Sequence, residues 1–232
     1  MPREDRSWRY QSCAVVGNSG ALLRGERKGM EIDSADAVIR INYPPIKTFE
    51  RMVGTKTTFE MVNMQHTKML VEGRVSPVRL INSTLLVSEV TSTFARRHVY
   101  PDLLRQFSGA NLEESHVGIL SPDFVGHAHH VWTVTKGQIE SVRFTEFNDT
   151  KTYHRKPMTG FFAVMFALQV CEHVDLYGFT RYTGSARDQK YHYFDTEKAS
   201  LDVHSFDLSY EVFRQLAVWP NSDAYLRLTI HR

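Results

Sequence analysis

Short apolar runs that end in glycine or asparagine alternate with helical stretches along most of the chain. Cys13-Ala14-Val15-Val16 is apolar and stops at Gly17-Asn18-Ser19-Gly20, after which Ala21-Leu22-Leu23-Arg24 can open a helix. The β-branched run Ala37-Val38-Ile39-Arg40-Ile41-Asn42 ends before Pro44-Pro45 and predicts a second strand, with Asn42 at its carboxyl end. A third is predicted over 57–63, after Gly54, and weaker ones over 78–81 and 84–87. From 91 to 154 the pattern is poorer: it predicts a helix near 103–107, then polar loops that include Gly126-His127-Ala128-His129-His130. Pro157-Met158-Thr159-Gly160 is a helix-start signal, and 161–170 is apolar on almost every side, as a buried helix requires. Residues 171–173 lead to a buried strand over 174–179, an amphipathic helix spans 208–218, and a last strand covers 225–230. There is no internal repeat and no low-complexity segment. This alternation predicts an α/β fold: a central, mostly parallel sheet flanked by helices.

With 232 residues, 42% hydrophobic and 23% charged, the chain makes one well-buried domain, preceded by an extension over 1–10. A formal net charge of +2 offers no basic stripe for a nucleic-acid backbone, so no nucleic-acid partner is expected. No apolar run approaches the roughly 20 residues that span a bilayer, and the opening MPREDRSWRY has no signal-peptide core, so the chain as given carries no address. Cys13 and Cys171 admit two readings, a disulfide between distant elements or two buried reduced thiols.

In open α/β sheets the ligand sits beyond the carboxyl ends of the strands, where loop amides and helix N-termini present donors to phosphate. Here those positions hold Gly17-Asn18-Ser19-Gly20, Asn42 and Thr159-Gly160, donors without charge, although each taken singly also fits an ordinary turn or cap. The spacing matches neither the dinucleotide fingerprint nor the P-loop. Acid and base candidates are His192, in Lys190-Tyr191-His192-Tyr193-Phe194-Asp195, and His204, in Val203-His204-Ser205-Phe206-Asp207. A neutral imidazole can take a proton from a hydroxyl nucleophile, and a protonated one can steady a leaving phosphate. The cluster at 126–130 lacks a carboxylate or cysteine at a familiar metal-ligand spacing and fits a solvated loop. No D-x-D triplet occurs, so the common device for holding a divalent ion on a nucleotide diphosphate is missing, and a monophosphate-linked donor would need no such ion.

Four short motifs in order resemble those of the eukaryotic-type sialyltransferases, glycosyltransferase family 29. The long motif is similar to Cys13-Ala14-Val15-Val16-Gly17-Asn18-Ser19-Gly20 with Glu31-Ile32-Asp33-Ser34, Arg40-Ile41-Asn42 and Val53-Gly54-Thr55-Lys56-Thr57-Thr58. The short motif resembles Pro157-Met158-Thr159-Gly160 with Ala167-Leu168, Cys171, Val174 and Tyr177-Gly178-Phe179. The third resembles His192-Tyr193-Phe194-Asp195, and the fourth resembles His204 with a downstream acid. The likeness covers most of the chain outside 65–155, which would then be an acceptor-side insertion.

The resemblance implies a Rossmann-like, metal-independent variant of the GT-A fold and an inverting transfer of sialic acid from CMP-sialic acid to a glycan hydroxyl. CMP-sugar would be a substrate, no cofactor or metal would be needed, and the acceptor would be galactose-terminated. By similarity Asn18, Ser19 and Asn42 would contact the CMP phosphate and ribose, and Thr159, Gly160, Gly178 and Phe179 would line the nucleotide pocket. His192 would bond the departing phosphate, His204 would be the base, and Cys13 and Cys171 would form the family's disulfide. The family also implies a Golgi or secretory lumen, with membrane attachment only through an anchor absent from this chain; sequons at 82–84 and 148–150 fit that passage. Two positions depart from the pattern. Met158 stands where the family usually has Ser or Thr, and Ser209 where the fourth motif usually has glutamate, so that Glu211 would have to act as the supporting acid. Alternatives are a transferase for another CMP-linked acidic sugar such as Kdo, a CMP-binding protein that has lost catalysis, or a hydrolase built on the histidine pair.

Overall fold

The computed structural model describes residues 7–75, 83–89, 92–109, 117–142, 157–181, 190–199, 204–218 and 227–231. Seven strands form one sheet: β1 (Tyr10–Val16), β2 (Ala37–Ile41), β3 (Phe59–Val62), β4 (Thr84–Val87), β5 (Val117–Ile119), β6 (Cys171–Tyr177) and β7 (Arg227–Ile230). Their order is β5-β4-β3-β2-β1-β6-β7 and every neighbouring pair is parallel. The predicted α/β class with a parallel sheet is thus the observed one. The strand at 78–81 lies outside the described residues, as do the sequon at 148–150, Asn82 and the first residues of the predicted last strand.

Side chains alternate across a strand, so a sheet covered on both faces needs strands apolar at every position. The buried parts of β1, β2 and β3 supply this except at Arg40 and Glu60, which are buried charged residues. Cys13, Val15, Ala37, Ile39, Ile41, Phe59 and Met61 face one layer, formed by α5 (Pro122–Val142), α6 (Thr159–Val170) and α7 (Phe206–Val218). Ala14, Val16 and Val38 face the other, with Ile32 of α1 (Gly29–Ser34) and Val53 of α2 (Glu50–Val53). Further along that face, Val62, Leu85 and Val87 pack on α3 (Met64–Val71) and α4 (Tyr100–Gly109) through Leu70 and Leu103. Helix α6 is buried almost all round because it lies under the middle strands.

Cys13 and Cys171 form a disulfide, with Cα atoms 6.0 Å apart, which settles the two open readings and matches the family's pairing. Residues 171–173, expected as a connection, are already strand, so α6 passes into β6 without a loop. Within the segment 65–155, β4 and β5 extend the sheet at its edge beside β3. β4 is the strand predicted over 84–87, whereas β5, of three residues, carries too little periodicity to be seen in the sequence. Gly126–His130 is not a loop; it is the second turn of the 21-residue α5, where His127 and His130 are exposed and the His129 ring packs edge-on against Phe162 at 5.4 Å. The N-terminal extension is anchored from Trp8, whose ring meets Phe59 at 5.2 Å and Phe166 at 5.8 Å. Among the described residues no helix is long and apolar enough to cross a membrane.

Candidate active site

The strand order reverses between β1 and β6: from β1 the chain winds outward through β2 to β5, then returns to place β6 on the other flank. Loops leave such a switch point in opposite directions and open a crevice at the carboxyl edge of the sheet. A cleft of about 680 Å³ lies there. Asn18, Ser19, Asn42, Thr159, Gly160, Gly178, Phe179, His192 and His204 all line it; Glu211 does not.

The crevice floor is where the loops after β1 and β6 touch. The Gly17 amide donates to the Tyr177 carbonyl at 2.8 Å, and the Ser19 amide to the Gly178 carbonyl at 3.3 Å. A Cβ on Gly17 would stand 2.6 Å from the Gly178 carbonyl oxygen, and Gly178 itself has φ +70°, so both positions require glycine. Ser19 caps a short 3₁₀ turn, Gly20–Leu23, its hydroxyl accepting from the Ala21 amide. Asn18 donates from Nδ2 to the Ile41 carbonyl at 2.9 Å, which joins the loop to the end of β2, while its buried Oδ1 has no partner among the described residues. Asn42 takes φ +62°, a conformation asparagine tolerates, and its Oδ1 accepts from the Asn63 amide at 3.1 Å.

The amino end of α6 closes one side. Met158 is its N-cap residue and makes no side-chain cap; its carbonyl accepts from the Phe161 amide at 2.9 Å, and Thr159 and Gly160 line the cleft at the positive end of a twelve-residue helix.

The segment after β6 brings the histidines. The Tyr193 amide donates to the Asn18 carbonyl at 2.9 Å and its hydroxyl to the Pro45 carbonyl at 2.6 Å, which pins this segment over the β1 loop. His192 is held between the rings of Tyr191 at 4.0 Å and Phe194 at 4.9 Å, with Nδ1 2.7 Å from Asp195 Oδ2. That bond fixes the ring and leaves Nε2 for another partner. Burial pushes the Tyr191 hydroxyl above its usual range, with Glu197 and Asp195 adding to the effect, so it stays a neutral donor. His204 sits half-buried just before α7, its ring 6.2 Å from Phe206. Ser205 accepts from the Leu208 amide through its hydroxyl, the geometry of an N-cap.

The departure at Ser209, and the acid expected to compensate for it, have structural expressions. Ser209 returns its hydroxyl to the Ser205 carbonyl at 2.7 Å, inside the helix. Glu211 is buried and receives Arg181 at 2.6 Å and Arg214 at 3.3 Å, so its carboxylate serves two guanidiniums rather than the cleft. His192, Asp195 and Glu197 place one ligand atom each within 4.8 Å of one another, a spacing a cation could use. The direct bond between His192 and Asp195 already pairs two of these atoms, and Glu197 is exposed.

Several cleft residues escaped the sequence reading, among them the titratable His66. His66 of α3 lines the crevice with Nδ1 2.9 Å from Asn63 Oδ1, and burial holds its pKa below the ordinary value, with His192 adding a smaller push. The signal was Asn63: like Asn42 it stands at the carboxyl end of a strand, and it caps α3 through the His66 amide.

A switch-point crevice lined by backbone amides, carboxamides and three histidines is the place where a parallel α/β sheet takes up its ligand. Comparison with known proteins names the family: the chain belongs to glycosyltransferase family 29 (sialyltransferase), whose model matches residues 1–218. Among relatives, it is 32% identical over 222 residues to CMP-N-acetylneuraminate-beta-galactosamide-alpha-2,3-sialyltransferase 1 of Pan troglodytes, covering 92% of this chain and 58% of that protein. It is 28% identical over 229 residues to sialyltransferase-like protein 1 of Oryza sativa subsp. japonica, covering 94% and 55%. The chain thus spans less than three-fifths of the length of these relatives. In fold it matches a mammalian sialyltransferase solved with Gal-beta-1-3GalNAc-ortho-nitrophenol, with TM-score 0.60 and 24% identity over 96% of this chain and 69% of that one. The sialyltransferase CstII from Campylobacter jejuni, solved with cytidine-5'-monophosphate, matches with TM-score 0.53 and 14% identity over 96% and 80%.

Proposed function

We propose that the protein transfers sialic acid from CMP-sialic acid to a hydroxyl of a galactose-terminated glycan, with inversion and without a metal ion. The observation that carries this function is the convergence of Asn18, Ser19, Asn42, Thr159, Gly160, Gly178, Phe179, His192 and His204 on one switch-point cleft. The relatives' names supply the donor and the acceptor type, and the two solved complexes hold the corresponding ligands.

The donors suit a nucleoside monophosphate. The unpartnered Asn18 Oδ1 needs a hydrogen-bond donor, which a ribose hydroxyl provides, and the amide-lined start of α6 suits the single phosphate. Phe179 and Gly160 close the pocket behind the nucleotide. In the reaction His204 takes the proton of the acceptor hydroxyl as its oxygen forms a bond to the anomeric carbon. The bond from that carbon to the phosphate oxygen breaks on the opposite face, and its electron pair leaves with CMP. His192, oriented by Asp195, donates from Nε2 to the leaving phosphate. The protein would work in the secretory lumen, where the Cys13–Cys171 disulfide is stable.

The test is CMP release from CMP-sialic acid with a panel of galactosides in EDTA. Acceptor-dependent release that survives chelation and falls about 10²–10⁴-fold in His204→Ala, with CMP still bound, supports transfer and its base together. Ser209 and Met158 favour one second reading, a binder that has lost catalysis. In that case the wild type binds CMP without releasing it from CMP-sialic acid or CMP-Kdo, and Met158→Ser with Ser209→Glu restores turnover. Absence of CMP binding overturns both readings.

A further inference from the structure

A second cleft, of about 620 Å³, lies on the far side of Phe179, Thr180 and Tyr210, which line both hollows. Three arginines line it from different elements: Arg24 from the turn after β1, Arg181 from the loop after β6 and Arg214 from α7. No carboxylate lines it among the described residues. Arg181 and Arg214 share Glu211, whose side chain is 6% exposed, so two cations are held from beneath by one buried anion. Arg181 also lies over the Tyr210 ring, 5.3 Å from its centroid. Each guanidinium has five N–H donors in a planar fork, and Glu211 uses only part of this set. Among the described residues the result is a positioned pair with one positive charge in excess, set into the wall of a hollow far larger than one sulfate or phosphate ion.

We propose that this cleft binds an acidic substituent of the acceptor glycan, a sulfate ester or carboxylate on a sugar near the one that receives sialic acid. The shared wall makes the two hollows neighbours, so a chain whose hydroxyl reaches the first can lay an anionic group against the arginines of the second. Glu211 then has a use of its own: its carboxylate orients Arg181 and Arg214 in place of supporting His204. The glycan nature of this ligand rests on the proposed function; the anion site itself does not.

Binding tests it without turnover. A 6-O-sulfated galactosyl disaccharide, its neutral counterpart and inorganic sulfate are titrated calorimetrically into the intact protein, alongside CMP. The sulfated disaccharide binds about tenfold more tightly than the neutral one, the difference made by one charge-assisted hydrogen-bond pair. Arg214→Gln and Arg24→Gln, at exposed positions, each remove most of that difference and leave CMP affinity unchanged. Equal affinity for the two disaccharides, or a preference that survives both substitutions, overturns the proposal. Inorganic sulfate that binds as tightly as the sulfated sugar overturns glycan recognition in favour of a small-anion site. Loss of CMP binding in the wild type would count against the donor assignment alone.

Discussion

His66 and Gly17 show how much single positions matter in the crevice. His66 is held neutral by burial, so folding opposes its protonation. Above the ordinary histidine pKa of about 6.5 the folded and unfolded forms are both neutral there, and the group contributes nothing. As the pH falls below that value the unfolded chain gains a proton that the folded one resists, and stability drops until the folded pKa is reached. Denaturant titrations at pH 7 and pH 5 will therefore show a larger loss in the wild type than in His66→Gln, whose amide can still bond Asn63. Gly17→Ala forces a methyl against the Gly178 carbonyl and will cost about 1–3 kcal/mol, measurable by denaturant unfolding, with weakened CMP binding. The donor-side residues were legible in the sequence because they follow strands that end in glycine or asparagine. His66 was not, since it belongs to the first turn of an eight-residue helix that the sequence pattern did not predict.

At the scale of elements, visibility followed burial and length. β1, β2 and α6 could be found because they carry buried apolar runs, Cys13 to Val16, Ala37 to Ile39 and Phe161 to Val164. β5 has three residues, one of them Gly118, and leaves no trace. Helix α5 did carry a period, since its buried Val125, Ala128, Trp132, Thr135 and Ile139 recur at three or four residues. Gly126, Gly137 and three histidines among them masked it. Helix α6 lacks a capping side chain, and Met158→Ser will supply one. Its gain, about 1 kcal/mol, should appear as a raised melting temperature, and if the hydroxyl also reaches the donor, as tighter CMP binding. An unchanged melting temperature would mean that the first-turn amides are already satisfied.

Across the whole molecule, the disulfide closes a separation of 158 residues, and chain-entropy estimates give on the order of 4 to 5 kcal/mol for so long a loop. The double substitution Cys13→Ala and Cys171→Ala will lower stability by about 2–5 kcal/mol in denaturant, and reduction of the wild type will bring it to a similar value. If reduction has no effect, the sheet alone holds β1 to β6. The order of the strands has one more consequence. β1 pairs with β2 soon after synthesis but with β6 only when residues 171–177 arrive, so the donor crevice is a seam between an early half and a late one. Long-range parallel pairing of this kind is slow to form. A nucleotide that bridges the seam binds only the finished protein, and at a hundredfold its dissociation constant it would favour that state by about 2.7 kcal/mol. The donor substrate would therefore act during maturation as a ligand that locks the two halves of the chain together.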